Sequence, residues 1–172
     1  MKRVLVIRFS SIGDIVLCSP VLRNLKNKFP DLNIDVLTKD SFASIWKNNP
    51  FIDRLLVWED PESKKTWKYE NYDLIIDLHN NMRSKRVKWI RWDCPSISFK
   101  KENIKKSALV STKNIRFSAS PITKRYDKLL NSIGIPTDDL GLDFYGIEAL
   151  PETVILPNRF YAITLGASYK TK

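Results

Sequence analysis

The chain has 172 residues, of which 43% are hydrophobic and 11% aromatic, and a formal net charge of +10. This composition predicts one folded domain with a hydrophobic core and excludes an intrinsically disordered chain. No apolar run approaches the roughly 20 residues that a membrane-spanning helix requires. The basic start lacks a signal-peptide cleavage site, which favours a cytoplasmic protein, and two isolated cysteines with one histidine make a disulfide framework or a metal centre improbable.

Apolar runs alternate with helical patterns along the chain. The predicted strands are residues 2–8, 33–38, 54–58, 73–78, 96–99 and 160–165. The predicted helices are a short turn from Asp14, a second helix to Phe29 with Pro20 in its first turn, and residues 40–47, 81–91, 101–110 and 123–133. Residues 60–72 are predicted to form a loop with one helical turn, and residues 136–158 an irregular connector. The alternation indicates an α/β protein with a doubly wound parallel sheet.

The corner after the first predicted strand is the most informative segment. Ser10, Ser11 and Gly13 turn the backbone, and Asp14 lies where a helix begins. In an open α/β sheet such a corner lies at the carboxyl ends of the strands, where ligands bind. Asp14 is therefore either a helix cap or a general base for a bound hydroxyl, and the pattern leaves both open.

A second polar cluster follows the fourth predicted strand and therefore lies at the same edge of the sheet. It contains His79, Asn80, Asn81 and Arg83. Amides both donate and accept hydrogen bonds and arginine binds carboxylates in a fork, so the set suits sugar hydroxyls and carboxylates. The alternative is that both asparagines are turn or cap residues and that the arginine is solvated. A single histidine supports no nucleophilic triad.

The positive charge is concentrated in one block. Residues 81–130 contain 14 Lys or Arg and 3 acidic residues, whereas the rest of the chain has a net charge of −1. The block predicts an anionic partner, which is a nucleic acid, a phosphorylated substrate or a membrane surface. A solvated lysine-rich surface is the alternative. Trp89 and Trp92 lie in the block and are candidates for sugar platforms, for base stacking or for half-buried packing.

Two motifs in register resemble the N-terminal half of glycosyltransferase family 9, the ADP-heptose:lipopolysaccharide heptosyltransferases. The first is Arg-Phe-Ser-Ser-Ile-Gly-Asp-Ile-Val-Leu-Cys-Ser-Pro-Val-Leu-Arg at residues 8–23, and the second is Tyr-Asp-Leu-Ile-Ile-Asp-Leu-His-Asn-Asn-Met-Arg-Ser at residues 72–84. Residues 163–172 look like the start of that family's donor-binding half. The resemblance implies a GT-B architecture, in which two Rossmann-like domains enclose the active site.

The resemblance also implies an activity and a set of site residues. It implies inverting transfer of heptose from ADP-heptose to a lipopolysaccharide core acceptor, without a tightly bound metal or cofactor, and with Asp14 as general base. Ser168 and Lys172 match positions that contact the donor phosphates. The residues expected to bind the acceptor are Ser10, Ser11, Gly13, His79, Asn80, Asn81 and Arg83.

We therefore expect residues 1–158 to form an acceptor-binding Rossmann-like domain. Residues 159–172 are expected to be a linker and the first strand of a truncated donor-binding domain, so the chain alone is expected to be inactive. The expected partners are a phosphorylated lipopolysaccharide precursor and an anionic membrane surface at residues 83–128, on the inner face of the inner membrane, with no nucleic acid. The rival interpretations are a non-enzymatic polyanion or nucleic-acid binder with a Rossmann-like core, and a nucleotide-binding regulatory domain.

Overall fold

The computed structural model describes residues 1–99 and 120–145, which form a five-stranded parallel sheet with helices on both faces. The strands are β1 (Arg3–Ile7), β2 (Asn33–Thr38), β3 (Arg54–Val57), β4 (Leu74–Asp77) and β5 (Ser96–Ser98). Their order across the sheet is β3-β2-β1-β4-β5, and every neighbouring pair is parallel. The prediction of a Rossmann-like, doubly wound parallel sheet is confirmed.

The helices lie in the crossovers between strands, except for the last one, which follows β5 in the chain. They are α1 (Ile12–Val16), α2 (Ser19–Lys28), α3 (Ala43–Trp46), α4 (Pro61–Tyr69), α5 (Met82–Ile90) and α6 (Ile122–Asn131). The predicted break between a short first helix and a second one is confirmed, and Pro20 lies in the first turn of α2, where its missing N–H has no helical acceptor to lose.

The central strand β1 has a core on each of its faces. Val4 and Val6 pack in a cluster with side chains of α2 and α6, whereas Leu5 and Ile7 pack in a second cluster with Trp67 of α4 and Val87 of α5. All four β1 side chains are fully buried. Because helices cover both faces of a parallel sheet, its central strands are apolar on both sides, which explains the continuous apolar run in the sequence.

The prediction for residues 60–72 was wrong, because this segment contains the nine-residue helix α4. The Asp60 side chain accepts a hydrogen bond from the Ser63 N–H at 2.6 Å and caps the helix, and Pro61 occupies its first turn. Trp67 is buried on the inner side of the helix. The Asp-Pro pair was the local signal for a helix start, and it was overlooked among the surrounding polar residues.

The single helix predicted for residues 40–47 was also wrong. The segment is a 3₁₀ turn at Asp40–Phe42 followed by the four-residue α3, and Lys39 rather than Asp40 occupies the cap position. The predicted helix at 101–110 and the predicted strand at 160–165 lie outside the described residues.

The described part of the predicted connector is irregular, and a buried arginine fixes it to α2. Arg23 of α2 donates to Asp138 from Nε at 2.8 Å and from Nη2 at 2.6 Å, and it also pairs with Asp143. Its Nη2 donates to the Gly141 carbonyl at 2.9 Å. The guanidinium thus replaces its water shell with carboxylates and a carbonyl, as a buried cation requires. The connector residues from 146 onward lie outside the described part of the chain.

This anchor predicts a pH-dependent contribution to stability. The hydrogen bond from Arg23 holds the pKa of Asp138 below its ordinary value of 3.8. Because the folded-state pKa is the lower one, the contribution is present above the ordinary value and is lost as the pH falls through the folded-state value. We expect Asp138→Asn to lower the free energy of unfolding by about 2 kcal/mol at neutral pH, with a smaller difference from wild type in acid.

Urea unfolding at a series of pH values measures this difference. Asp139→Asn is the matched control, since Asp139 is the exposed neighbour of Asp138, and we expect it to change stability by less than about 0.5 kcal/mol. A difference between Asp138→Asn and wild type that stays constant down to strong acid would contradict the role of the ionised pair.

Candidate functional site

The two predicted polar clusters meet at the carboxyl edge of the sheet. Ile7 and Asp77 end their strands in register, and the Leu78 N–H donates to the Ile7 carbonyl at 3.1 Å. The loop after β1 and the loop after β4 are therefore adjacent. This placement agrees with the sequence prediction that residues 10–14 and 79–83 share one edge of the sheet.

Arg8 joins the two loops from within the protein. Its residue is 5% exposed, and its guanidinium forms an ion pair with Asp14 and donates to the Leu78 carbonyl. A third contact runs from Nη1 to the Tyr126 hydroxyl of α6 at 3.2 Å. The sequence analysis did not single out Arg8 or Tyr126, although a charged residue directly after an apolar strand is a usable signal for a buried, paired charge.

Asp14 lies in the first turn of α1, and its side chain is 30% exposed. Ser11, the N-cap residue, donates to the Asp14 Oδ2 atom from its hydroxyl at 3.1 Å and from its backbone N–H at 3.5 Å. Asp14 is thus not the cap itself but a partner of the cap. Within residues 1–99 and 120–145, its ion pair and hydrogen bonds all use Oδ2, so the Oδ1 atom is the one left for a ligand.

Two neutral side chains, Cys18 and Tyr126, form hydrogen bonds with the backbone of Asp14 and with Arg8. The Cys18 thiol donates to the Asp14 carbonyl at 3.1 Å and contacts the Tyr126 hydroxyl at 3.7 Å. Burial raises the pKa of Cys18 to about 12, although the nearby Arg8 charge opposes the shift. Burial also raises the pKa of Tyr126. Both groups therefore stay protonated at neutral pH and serve as fixed donors beside the ion pair.

The second loop is shaped by a buried carboxylate. Asp77 is fully buried, pairs with the Lys88 ammonium at 2.9 Å, and accepts the backbone N–H groups of His79 at 3.0 Å and Asn80 at 2.7 Å. Asn80 adopts a left-handed conformation with φ 47°, and its amide donates to the Phe99 carbonyl at 2.9 Å. This tight turn is held by charge-assisted hydrogen bonds, which are stronger than neutral ones.

Asn81 caps helix α5, since its side-chain oxygen accepts the Ser84 N–H at 3.0 Å. Within the protein, Asn80 is therefore a turn residue and Asn81 a helix cap, as one of the two sequence interpretations predicted. Their contact with an acceptor, like that of the other residues chosen from the sequence, stays a prediction.

Phe9 connects the remaining side chains of the edge. Its buried ring makes edge-to-face contacts with His79 at 5.5 Å and Trp58 at 5.4 Å between ring centres. The Arg83 guanidinium lies over the same ring at 5.4 Å, a distance at which cations and aromatic faces attract. His79 and Arg83 are both half-buried, so each presents part of its surface at the edge.

The other predicted site residues differ in how far the structure describes them. Ser10 is half-buried in the first loop. Gly13 does not turn the backbone as predicted but lies exposed in the first turn of α1, where an added Cβ atom would meet nothing within 4 Å. Ser168 and Lys172 lie outside the described residues. In the described parts of the chain, no group of three His, Cys, Asp or Glu side chains is arranged to hold a metal ion. No helix there is long and apolar enough to cross a membrane.

The burial of Cys18 predicts that its thiol reacts slowly. Because the thiolate is the reactive form, the buried Cys18 with its pKa of about 12 should not react with iodoacetamide in the native protein at mildly alkaline pH. Mass spectrometry of peptides after native and denatured labelling measures this, and the denatured chain is the positive control. Rapid native alkylation of Cys18 would mean that α1 opens readily from the sheet.

The chain is similar in sequence to two curated heptosyltransferases, whereas no protein-family model matches it. It is 33% identical over 78 residues to lipopolysaccharide heptosyltransferase 3 of Escherichia coli, an alignment that covers 38% of this chain and 23% of the relative. It is 28% identical over 113 residues to lipopolysaccharide heptosyltransferase 1 of Campylobacter coli, which covers 61% of this chain and 33% of the relative. The matched segments are thus a quarter to a third of these relatives.

Solved structures share the fold. The E. coli heptosyltransferase WaaC with ADP superposes with a TM-score of 0.59 at 19% identity, over 82% of this chain and 50% of that one. A glycosyl transferase family 9 protein from Veillonella parvula gives a TM-score of 0.60 at 19% identity, over 88% of this chain and 46% of that one. The resemblance to glycosyltransferase family 9 is confirmed, and the sheet has the Rossmann-like architecture of these structures.

Proposed function

We propose that this chain is the acceptor-binding, N-terminal part of a glycosyltransferase that moves heptose from ADP-heptose to a lipopolysaccharide core. The observation that carries the proposal is the Asp14 carboxylate, which is partly exposed at the carboxyl edge and held by Arg8 and Ser11. The relatives named as lipopolysaccharide heptosyltransferases support the sugar and the acceptor. The ADP in the E. coli structure supports the donor nucleotide. No tightly bound cofactor enters the proposal.

In the proposed reaction, Asp14 acts as general base through Oδ1. It takes the proton of an acceptor hydroxyl while that oxygen attacks the anomeric carbon of the heptose. The bond between this carbon and the diphosphate oxygen breaks, and ADP leaves with the electron pair. Attack opposite to the leaving group inverts the anomeric centre, and Asp14 then releases its proton to solvent.

The chain's own residues prepare this step by fixing the base. Arg8 is buried and has three partners, so it offers the carboxylate a rigid cation and not a mobile lysine-like charge. Such pre-organisation reduces the entropy that must be lost when the acceptor hydroxyl is aligned. We assign acceptor contacts to the backbone and hydroxyls of residues 10–13 and to the side chains of His79, Asn80, Asn81 and Arg83.

The proposal divides the work between two parts of the protein. Residues 1–158 bind the acceptor, and residues 159–172 begin a donor-binding part in which Ser168 and Lys172 contact the ADP phosphates. The acceptor is a phosphorylated glycolipid, so we place the protein in the cytoplasm at the inner face of the inner membrane. Cations within the block at 83–128 supply attraction to the acceptor and to that anionic surface.

The general-base role predicts a selective loss of turnover. In the complete gene product, we expect Asp14→Asn to lower kcat at least about 100-fold, because an amide cannot accept the hydroxyl proton. Affinity for the acceptor should change less than kcat, because the amide preserves the size and its oxygen still accepts hydrogen bonds from Arg8 and Ser11, although the ion pair with Arg8 is lost. ADP release from ADP-heptose in the presence of acceptor measures kcat and KM separately.

Asp31→Asn is the matched control for that assay. Asp31 is an exposed carboxylate two residues before β2, at the opposite edge of the sheet, and its substitution should leave kcat unchanged. Near-normal turnover of Asp14→Asn would remove Asp14 from the base role. A loss of acceptor binding without a loss of kcat would make Asp14 a binding residue instead.

If the acceptor and the donor bind to different parts of the protein, the 172-residue chain alone should bind the acceptor but not the donor. We expect calorimetry to detect binding of a phosphorylated core oligosaccharide and no binding of ADP-heptose. The reason is that diphosphates are held by backbone N–H groups at a helix N-terminus and by cations, which the proposal places in the donor-binding part. Tight ADP-heptose binding, or sugar transfer by this chain alone, would overturn the assignment.

A further inference from the structure

The most exposed side of α5 carries large apolar side chains. Met82 is 80% exposed, Trp89 is 78% exposed, and Trp92 in the turn after the helix is 85% exposed. Met82, the exposed Lys85 and Trp89 follow at intervals of three and four residues, so they lie along one side of the helix, and Trp92 follows in the turn after its end. We call these four residues, Met82, Lys85, Trp89 and Trp92, the outer stripe of α5.

This arrangement reverses the usual pattern of a surface helix. The opposite side of α5 already faces the core through Ser84 and Val87, which are fully buried. A helix on a sheet normally turns polar side chains outward, whereas α5 presents Met82 and Trp89 there and the turn after it adds Trp92. Single exposed apolar residues are common, but three large ones grouped on one side mark an interaction surface.

The surface around the outer stripe is strongly basic. Helix α5 contains four cations and no acidic residue, and Arg86 is exposed beside the stripe. The exposed Asp93, which follows Trp92, is neutralised by its ion pair with Arg91. Helix α4 covers the same side of the sheet and adds the exposed Lys68 and Tyr69, whose ammonium and ring are 5.1 Å apart. On the other side of the sheet, the segment packed on α2 carries Asp138, Asp139 and Asp143. Lysines and arginines of α2 and α6 lie on that side too, so the acidic character belongs to this segment and not to the whole side of the sheet.

We propose that the outer stripe of α5 inserts into the interface of an anionic lipid bilayer. Tryptophan is favoured at the headgroup level, where its ring is apolar and its indole N–H remains hydrated. Lys85 and Arg86 lie where lipid phosphates would neutralise them, which is the pattern of basic amphipathic helices that lie on membranes. Exposure and charge identify this surface as a binding surface. The choice of a bilayer as its partner depends on the proposed function, in which the acceptor is a glycolipid.

Two other occupants would use the same side chains differently. Single-stranded nucleic acid stacks its bases on aromatic rings and pairs its phosphates with cations. However, Met82 offers no stacking plane and extends the apolar stripe toward the site edge. A second copy of the chain would have to bring its own basic α5 against this one, which charge repulsion opposes.

The test is co-sedimentation of the 172-residue chain with vesicles. We expect binding to phosphatidylglycerol vesicles, with weak binding to pure phosphatidylcholine and a decrease at high salt. Trp89→Ser combined with Trp92→Ser should reduce the partition coefficient at least about tenfold. Lys85→Gln combined with Arg86→Gln should weaken binding and flatten its salt dependence.

Leu140→Ser is the matched control, since Leu140 is 75% exposed in the acidic segment on the other side of the sheet. It should bind vesicles like wild type. Thermal unfolding of each variant verifies that the fold is retained, as expected for exposed positions. Quenching of tryptophan emission by brominated lipids should occur in wild type and in Leu140→Ser, and should be lost in the double tryptophan variant.

Several results would overturn the proposal. They are the absence of vesicle binding by the wild type, vesicle binding that survives loss of both tryptophans, tighter binding to a single-stranded oligonucleotide than to the vesicles, and a dimer that the tryptophan variant converts to a monomer. Vesicle binding and the Asp14→Asn assay are independent, since Trp89 and Trp92 lie outside the proposed site. A failure of one is therefore distinguishable from a failure of the other.

Discussion

The buried guanidinium of Arg8 is the interaction on which the candidate site depends. Its side chain is 6% exposed, and a cation so far from water is tolerated only when it has close polar partners. Both Nη atoms of Arg8 have such partners, whereas its Nε has no hydrogen-bond partner among the described residues. Asp14, the Leu78 carbonyl and the Tyr126 hydroxyl supply the partners. Arg8 therefore links the ends of β1 and β4 to α1 and α6, and it fixes the carboxylate that we propose as the base.

The parallel sheet determines where such chemistry can occur. All strand carboxyl ends point to one edge, so the loops after β1 and β4 become neighbours although they are about 70 residues apart in sequence. At that edge each loop has its own buried charge pair, Arg8 with Asp14 and Asp77 with Lys88. Breaking one partner of a buried pair leaves an uncompensated charge, so these pairs hold the loops in one conformation.

The proposed site and the proposed membrane surface meet at the start of α5. Asn81 caps this helix, Arg83 lies over Phe9 at the site, and the outer stripe of α5 begins at Met82. An acceptor held in a bilayer would thus lie next to the residues proposed to recognise it. On the opposite side of the sheet, the ion pairs of Arg23 with Asp138 and Asp143 hold an irregular segment over α2.

The sequence by itself determined the five described strands, the break before Pro20 and the position of Asp14 where a helix begins, because these follow from local apolar patterns and proline chemistry. The family resemblance added the proposed role of Asp14. The tertiary structure decided that Arg8 pairs with Asp14 and Tyr126, that Asn80 and Asn81 shape a turn and a cap, and that Trp89 and Trp92 face outward. Apolar periodicity indicates which residues are buried, but partners distant in sequence depend on how the chain crosses the sheet.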